Sequence, residues 1–181
     1  MDNIKINSNE YYNQALEKTQ KDLNIKNKLA GPKITKVAIN IGIGKYDNKQ
    51  KQEIATYLEK LCGQKPKLIK AKVSVAGFKL RKNELVACQL TLRGKKAKDF
   101  LVQLVYLGLP RTRDFRGIKD TSFDVNYSTY SLGIENASIF PAIGFDTSFT
   151  FGMQVNIAFA SGSEDNIQLL KNLNFPFKKI K

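Results

Sequence analysis

Apolar and polar residues alternate with period two in several stretches of the chain and with helical period in four others, and the two patterns interleave. In 33–43, Thr35, Val37, Ile39, Ile41 and Ile43 fall on one side and Lys36, Ala38, Asn40 and Gly42 on the other, which predicts a strand with one dry and one polar face. The same reading applies to 85–93, where Val86, Cys88, Leu90 and Leu92 oppose Ala87, Gln89, Thr91 and Arg93, and to 150–160, where Phe151, Met153, Val155, Ile157 and Phe159 oppose Gly152, Gln154, Asn156 and Ala158. Helices are predicted over 8–23, opened by a Ser8 cap, over 47–61 with Ile54, Leu58 and Leu61 on one face and Gly63 as terminator, over 95–107 ahead of Pro110, and from a Ser163 cap to about Asn174. Residues 67–72 and 74–82 read as short basic strands around a break at Gly77, and 111–149 as short strands and long loops. Strands that are dry on one side only, interleaved with helices, predict a single α+β domain over 1–181: a mainly antiparallel sheet with helices on one face and the other face open. Within it, 1–30 is an N-terminal helix and linker, 71–84 a protruding basic loop, and 111–149 a loop-rich segment.

Composition says what the open face is for. Thirty Lys and Arg against 16 Asp and Glu give a net charge of +14 over 181 residues, which calls for a polyanionic partner. An open polar sheet face is an RNA platform in several RNA-binding folds. There is no histidine, so histidine-based catalytic pairs and the common zinc spacings are excluded, and the two cysteines, Cys62 and Cys88, read as structural thiols of a reducing compartment. No apolar run approaches the ~18 residues of a membrane span, and the polar N-terminal region reads as neither a secretory signal nor a mitochondrial presequence.

The charge is unevenly spread. Residues 61–120 carry +11, whereas 121–170 carry five acids and no Lys or Arg, so the latter stretch is expected to face away from the polyanion or to meet something basic. All five arginines, Arg81, Arg93, Arg111, Arg113 and Arg116, fall within 81–116, a window expected to be the nucleic-acid contact zone. Between Lys72 and Lys82, the segment Ser74-Val75-Ala76-Gly77-Phe78-Lys79 reads either as a solvated hairpin or as a finger that touches a nucleic-acid backbone and stacks Phe78 on a base or sugar. Gly42-Ile43-Gly44-Lys45 lacks the spacing of a nucleotide-binding loop, and the scattered acids, with Asp114 between Arg113 and Arg116, fit salt bridging better than acid/base or metal chemistry. No catalytic residue, metal site or cofactor is expected.

Eight blocks then occur in a familiar order: Ile39 to Gly44, Cys62 to Pro66, Ser74 to Lys79, Thr91 to Gly94, Pro110 to Gly117, Tyr130 to Ile134, Ile139 to Pro141, and Phe175 to Phe177. Over about residues 30 to 181 the chain resembles the ribosomal protein L-five family, which binds 5S rRNA in the large ribosomal subunit. The resemblance implies a structural protein of the central protuberance whose open sheet face receives 5S rRNA through Asn40, Gln64 and Thr91, beside Lys36, Lys65, Gln89 and Arg93. It also implies that the loop holding Ser74, Gly77, Phe78, Lys79 and Arg81 approaches peptidyl-site tRNA. Arg111, Arg113 and Arg116 would touch RNA or the small subunit, where protein S-thirteen is the basic partner, with large-subunit rRNA and neighbouring central-protuberance proteins completing the surroundings.

Lys95-Lys96-Ala97-Lys98 and Val125 to Thr129 depart from the family pattern. With the Lys and Asn enrichment, this points to an organellar ribosome in the mitochondrial matrix, with a bacterial cytoplasm or a plastid as the alternatives. Charge alone equally fits a non-ribosomal RNA- or DNA-binding module, and the scattered acids leave a catalyst as a third reading.

Overall fold

The computed structural model describes residues 7–25, 27, 29–78, 80–113, 115–140 and 149–178. Alternation becomes strand at β1 (Ile34–Gly42), β3 (Leu85–Leu92), β4 (Thr129–Ile134) and β5 (Met153–Phe159), with the short β2 (Lys67–Lys70) added at one edge. They form one five-stranded sheet in the order β2-β3-β1-β5-β4, with every neighbouring pair antiparallel. Val37, Ile39, Cys88, Leu92, Val155 and Ile157 are fully buried on its inner face. Burying each large aliphatic side chain contributes roughly 1.5–3 kcal/mol, so this alternation fixes which face is wet: a one-residue slip would turn the whole set to solvent.

Helices α1 (Ser8–Asp22), α2 (Asn48–Cys62), α3 (Gly94–Gln103) and α4 (Asp165–Asn172) cover the inner face, α2 and α3 resting on β3 and β1, and α1 on α3 and α4. α2 begins with a capping box between Asp47 and Gln50, and it ends where Gly63 adopts φ 61°, the terminator its sequence predicts. α1 is pinned by polar contacts: the Tyr12 hydroxyl accepts from the Ile34 amide at 2.9 Å, and buried Thr19 accepts from Asn172 Nδ2 at 2.9 Å. The thiols of Cys62 and Cys88 are free and buried, and burial raises them to about 12 and about 11, so they are inert at neutral pH.

Four local expectations are corrected. Ser8 does not cap α1 from outside; it is buried within the first turn and its hydroxyl donates to the Asp99 carboxylate of α3, while Asn7 occupies the cap position. Thr35 leaves the dry side because the register shifts between Ile34 and Lys36, and its hydroxyl donates instead to Ala158 O. Residues 74–82 form no strand: a 3-10 turn at Ala76–Phe78 is closed by one antiparallel bridge between Val75 and Leu80. The third helix does not run evenly to 107, because its last turns widen to a π-turn over Leu104–Gly108 before a 3-10 turn at Leu109–Arg111. Gly108 lies so close to Phe140 that a Cβ there would stand 3.1 Å from the ring, and the wider turn lets this small residue face that contact.

Candidate nucleic-acid interface

Antiparallel pairing places directly opposed residues on the same face, so the register reads out the open surface row by row. One row crosses all five strands: Lys67, Gln89, Asn40, Gln154 and Gly133. At the usual 4.7–4.9 Å strand spacing it spans roughly 19 Å, close to the width of a nucleic-acid duplex. The next row holds Thr91, Ala38, Asn156 and Ser131, and a third holds Lys36, Ala158 and Thr129. Asn40, Gln89 and Gln154 are exposed, Thr91 and Asn156 half-buried, and Gln154 Nε2 donates to Asn156 Oδ1 at 3.3 Å, which orients both amides. Over the β5–β4 half lies a shallow depression of about 520 Å³ lined by Asn40, Ser131, Gly133, Glu135 and Gln154.

The remaining platform candidates come from element ends. Gln64 and Lys65 lie in the turn between Gly63 and Pro66, three and two residues before Lys67, so the chain reaches the sheet at the Thr91 end of β3. The turn is held from outside by Lys96, whose Nζ donates to Gly63 O at 2.8 Å. Arg93 follows β3 as the exposed residue preceding α3. Lys36, Lys65, Lys67 and Arg93 make no ion pair among the described residues, so their charge is available to an anion. Amides and a hydroxyl in rows can exchange hydrogen bonds with 2′-hydroxyls and base edges, while the flanking cations supply phosphate affinity.

The alternation in the sequence puts Asn40, Gln89 and Thr91 on the polar face, where the structure has them, but the candidate set leaves out Gln154, Asn156, Ser131 and Lys67. The pattern in 150–160 already places Gln154 and Asn156 on a polar face; what it lacks is the pairing that brings β5 beside β1. It follows that the stretch without Lys or Arg does not simply face away from the platform, since β4 and β5 build the neutral half of it.

The 71–84 loop joins β2 to β3. Ser74, Gly77 and Arg81 are exposed, Lys79 lies outside the described residues, and Phe78 is described by its backbone alone. The five arginines are divided among three places in the fold: Arg81 is on this loop, Arg93 at the end of β3, and Arg111, Arg113 and Arg116 lie exposed in the connection that leaves α3. That connection is tied at Ile118 to the C-terminal segment, through Ile118 N to Pro176 O and Lys178 N to Ile118 O, both at 2.9 Å, and to β4 through the Tyr130 hydroxyl, which donates to Lys119 O, and the Phe123–Tyr130 bridge. Asp114, expected between the arginines, lies outside the described residues. Among the described residues no cluster of acids and cysteines could hold a metal ion, and no helix is long and apolar enough to cross a membrane.

Comparison with known proteins decides what this platform belongs to. The family model "Ribosomal protein L5" matches residues 27–81, and the model of the same ribosomal family's C-terminus matches residues 85–177. The large ribosomal subunit protein uL5 of Mycoplasma mycoides is 41% identical over 173 residues, covering 93% of this chain and 96% of its own length. The chain belongs to the ribosomal protein L5 family. The uL5 proteins of Buchnera aphidicola, 38% identical over 173 residues (93% of this chain, 96% of their length), and of Brachyspira hyodysenteriae, 36% identical over 179 residues (97% and 95%), agree. As an L5-family member the chain is a structural, non-enzymatic component of the ribosome, which removes the catalytic reading. The two L5 models meet in the finger's return to β3, so Asn40, Gln64 and Lys65 come from the first and Gln89, Thr91 and Arg93 from the second. The L5 relatives named are bacterial, and they lend no support to the mitochondrial matrix.

Proposed function

We propose that the chain is a structural constituent of the large ribosomal subunit that seats 5S rRNA of the central protuberance on its open sheet face. The row Lys67, Gln89, Asn40, Gln154 carries this reading: cations at the β2 edge and uncharged amides across the centre are what a backbone-positioned, sugar-reading RNA contact requires. On the same reading the 71–84 finger approaches peptidyl-site tRNA, and Arg111, Arg113 and Arg116 meet large-subunit rRNA or the small-subunit side, where S-thirteen is the expected neighbour. The L5 family membership argues against a non-ribosomal nucleic-acid module, and ribosomes of bacterial type are where the relatives work.

The test is binding of purified chain to 5S rRNA at fixed salt. Asn40→Ala and Thr91→Ala are each expected to weaken it by about 1–3 kcal/mol, the cost of leaving a desolvated polar group unpaired. Affinity for 5S rRNA no better than for unrelated RNA of equal length would overturn the proposal. Arg81→Ala is expected to leave this affinity intact and to shorten tRNA residence in the peptidyl site of assembled ribosomes.

A further inference from the structure

Lys51, in the first turns of α2, is 3% exposed, and lysine is almost never so buried unless paired. Its Nζ lies 3.3 Å from Oε1 of Glu84, the one ion pair among the described residues. Glu84 stands at the foot of the finger's return limb. Its other oxygen accepts from the Arg81 amide at 3.1 Å, its own amide donates to Arg81 O at 3.1 Å, and its carbonyl accepts from the Ala71 amide at 2.8 Å. One residue therefore joins α2, the return limb and the chain leaving β2. Beyond this foot the bonds are internal to the finger: the Val75–Leu80 bridge, and Lys82 N donating to Ser74 Oγ at 2.9 Å. Leu80 also packs toward the Gly44 turn, its Cδ2 3.6 Å from where a Cβ of Gly44 would be. A hairpin held apolarly at one side and by a charge pair at the other has its direction set by that pair.

We infer that Lys51 and Glu84 form a positioning clasp that fixes how the finger leaves the body. The consequence for RNA rests on the reading of the finger as an RNA-contacting segment; the clasp itself does not. α2 is a suitable anchor, because it is capped at both ends and its C-terminus also delivers Gln64 and Lys65 to the platform, so one rigid helix registers both features.

The two partners are unequal, which gives the inference a signature. Glu84→Gln leaves a buried ammonium without its counter-charge, whereas Lys51→Met keeps the packed stem and leaves a carboxylate that is 34% exposed and can hydrate. The experiment is amide hydrogen exchange on the full-length chain. Lys51→Met is expected to speed exchange at Arg81 and Lys82 by about tenfold and to leave Leu90, in the centre of β3, within about twofold of the parent. Glu84→Gln is expected to do the same with a larger loss of melting temperature, and the double variant to be no worse at the finger than Glu84→Gln alone, since the two changes break one interaction. Unchanged finger amides in Lys51→Met, or effects of the two changes that simply multiply, would overturn the clasp. In ribosomes carrying Lys51→Met, faster loss of peptidyl-site tRNA with normal 5S rRNA affinity is expected. Freed amides with normal tRNA retention would instead keep the clasp and remove the finger's role at tRNA.

Discussion

Asn166 is fully buried, and its amide donates to Tyr127 O at 2.8 Å and to Ser161 O at 2.7 Å, joining the turn before β4 to the turn after β5. Those turns set where β4 and β5 begin to pair, and with them the alignment of Ser131 and Asn156 on the platform. Asn166→Ala removes both donors and leaves a void, so urea denaturation is expected to show a loss of about 2–4 kcal/mol. Nearby, Asp124 closes the turn before β4 by accepting from the Ser128 hydroxyl, the Thr129 amide and the Ser128 amide, and these bonds hold its carboxyl below the usual aspartate value. With the folded value depressed, the stabilisation is complete above the ordinary value of about 4 and is lost as pH falls through the folded one. Asp124→Asn has no proton to gain there, so between about pH 5 and pH 3 its melting temperature is expected to fall less than the parent's. Tyr130, whose buried hydroxyl donates to Lys119 O at 2.7 Å, is raised to about 12 by burial and the charge of Asp120; it stays neutral and takes no part in that window.

At the scale of elements, legibility tracks how much of each pattern is decided by local burial. β1, β3 and β5 alternate because one face is dry, and the open-face positions of Asn40, Gln89 and Thr91 are readable from that alone. The finger reads as strand in the sequence because its Val and Leu residues suit one, whereas a hairpin away from the sheet offers no ladder beyond the single Val75–Leu80 bridge. The order of strands is not readable, since β5 joins β1 across more than a hundred residues, and so half the platform goes unnamed. α2 shows the opposite case, a boundary fixed by one residue. Gly63 takes φ 61° with open space around its Cβ position, so Gly63→Ala meets no clash and costs only backbone strain, about 1 kcal/mol. Because Gln64 and Lys65 hang from that turn, the same change is expected to weaken 5S rRNA binding by more than its effect on thermal stability explains, whereas Gly63→Asn, which tolerates the left-handed region better, should restore most of both.

Across the whole molecule, the strand order turns the uneven sequence charge into a gradient. β2, β3 and β1 bring Lys67, Lys65, Arg93 and Lys36 to one side of the open face, and β5 and β4 bring Gln154, Asn156 and Ser131, with Glu135 at the rim, to the other. Phosphate affinity and base or sugar reading should therefore separate along the sheet. Lys67→Ala is expected to weaken binding to 5S and unrelated RNA alike and to reduce the slope of log affinity against log salt by about 0.7–0.9, the share of one phosphate contact. Gln154→Ala is expected to leave that slope unchanged and to narrow the gap between 5S rRNA and unrelated RNA. A charge change at Glu135 tests how far along the sheet the proposed RNA contact reaches. This residue is exposed, and it lines the depression over the β5–β4 half. With RNA lying across the full width, Glu135→Lys removes a repulsion and adds a contact, so affinity should rise and the salt slope steepen. With RNA confined to the β2–β1 half, the same change should leave both quantities where they were, and the neutral half would be open to a protein neighbour.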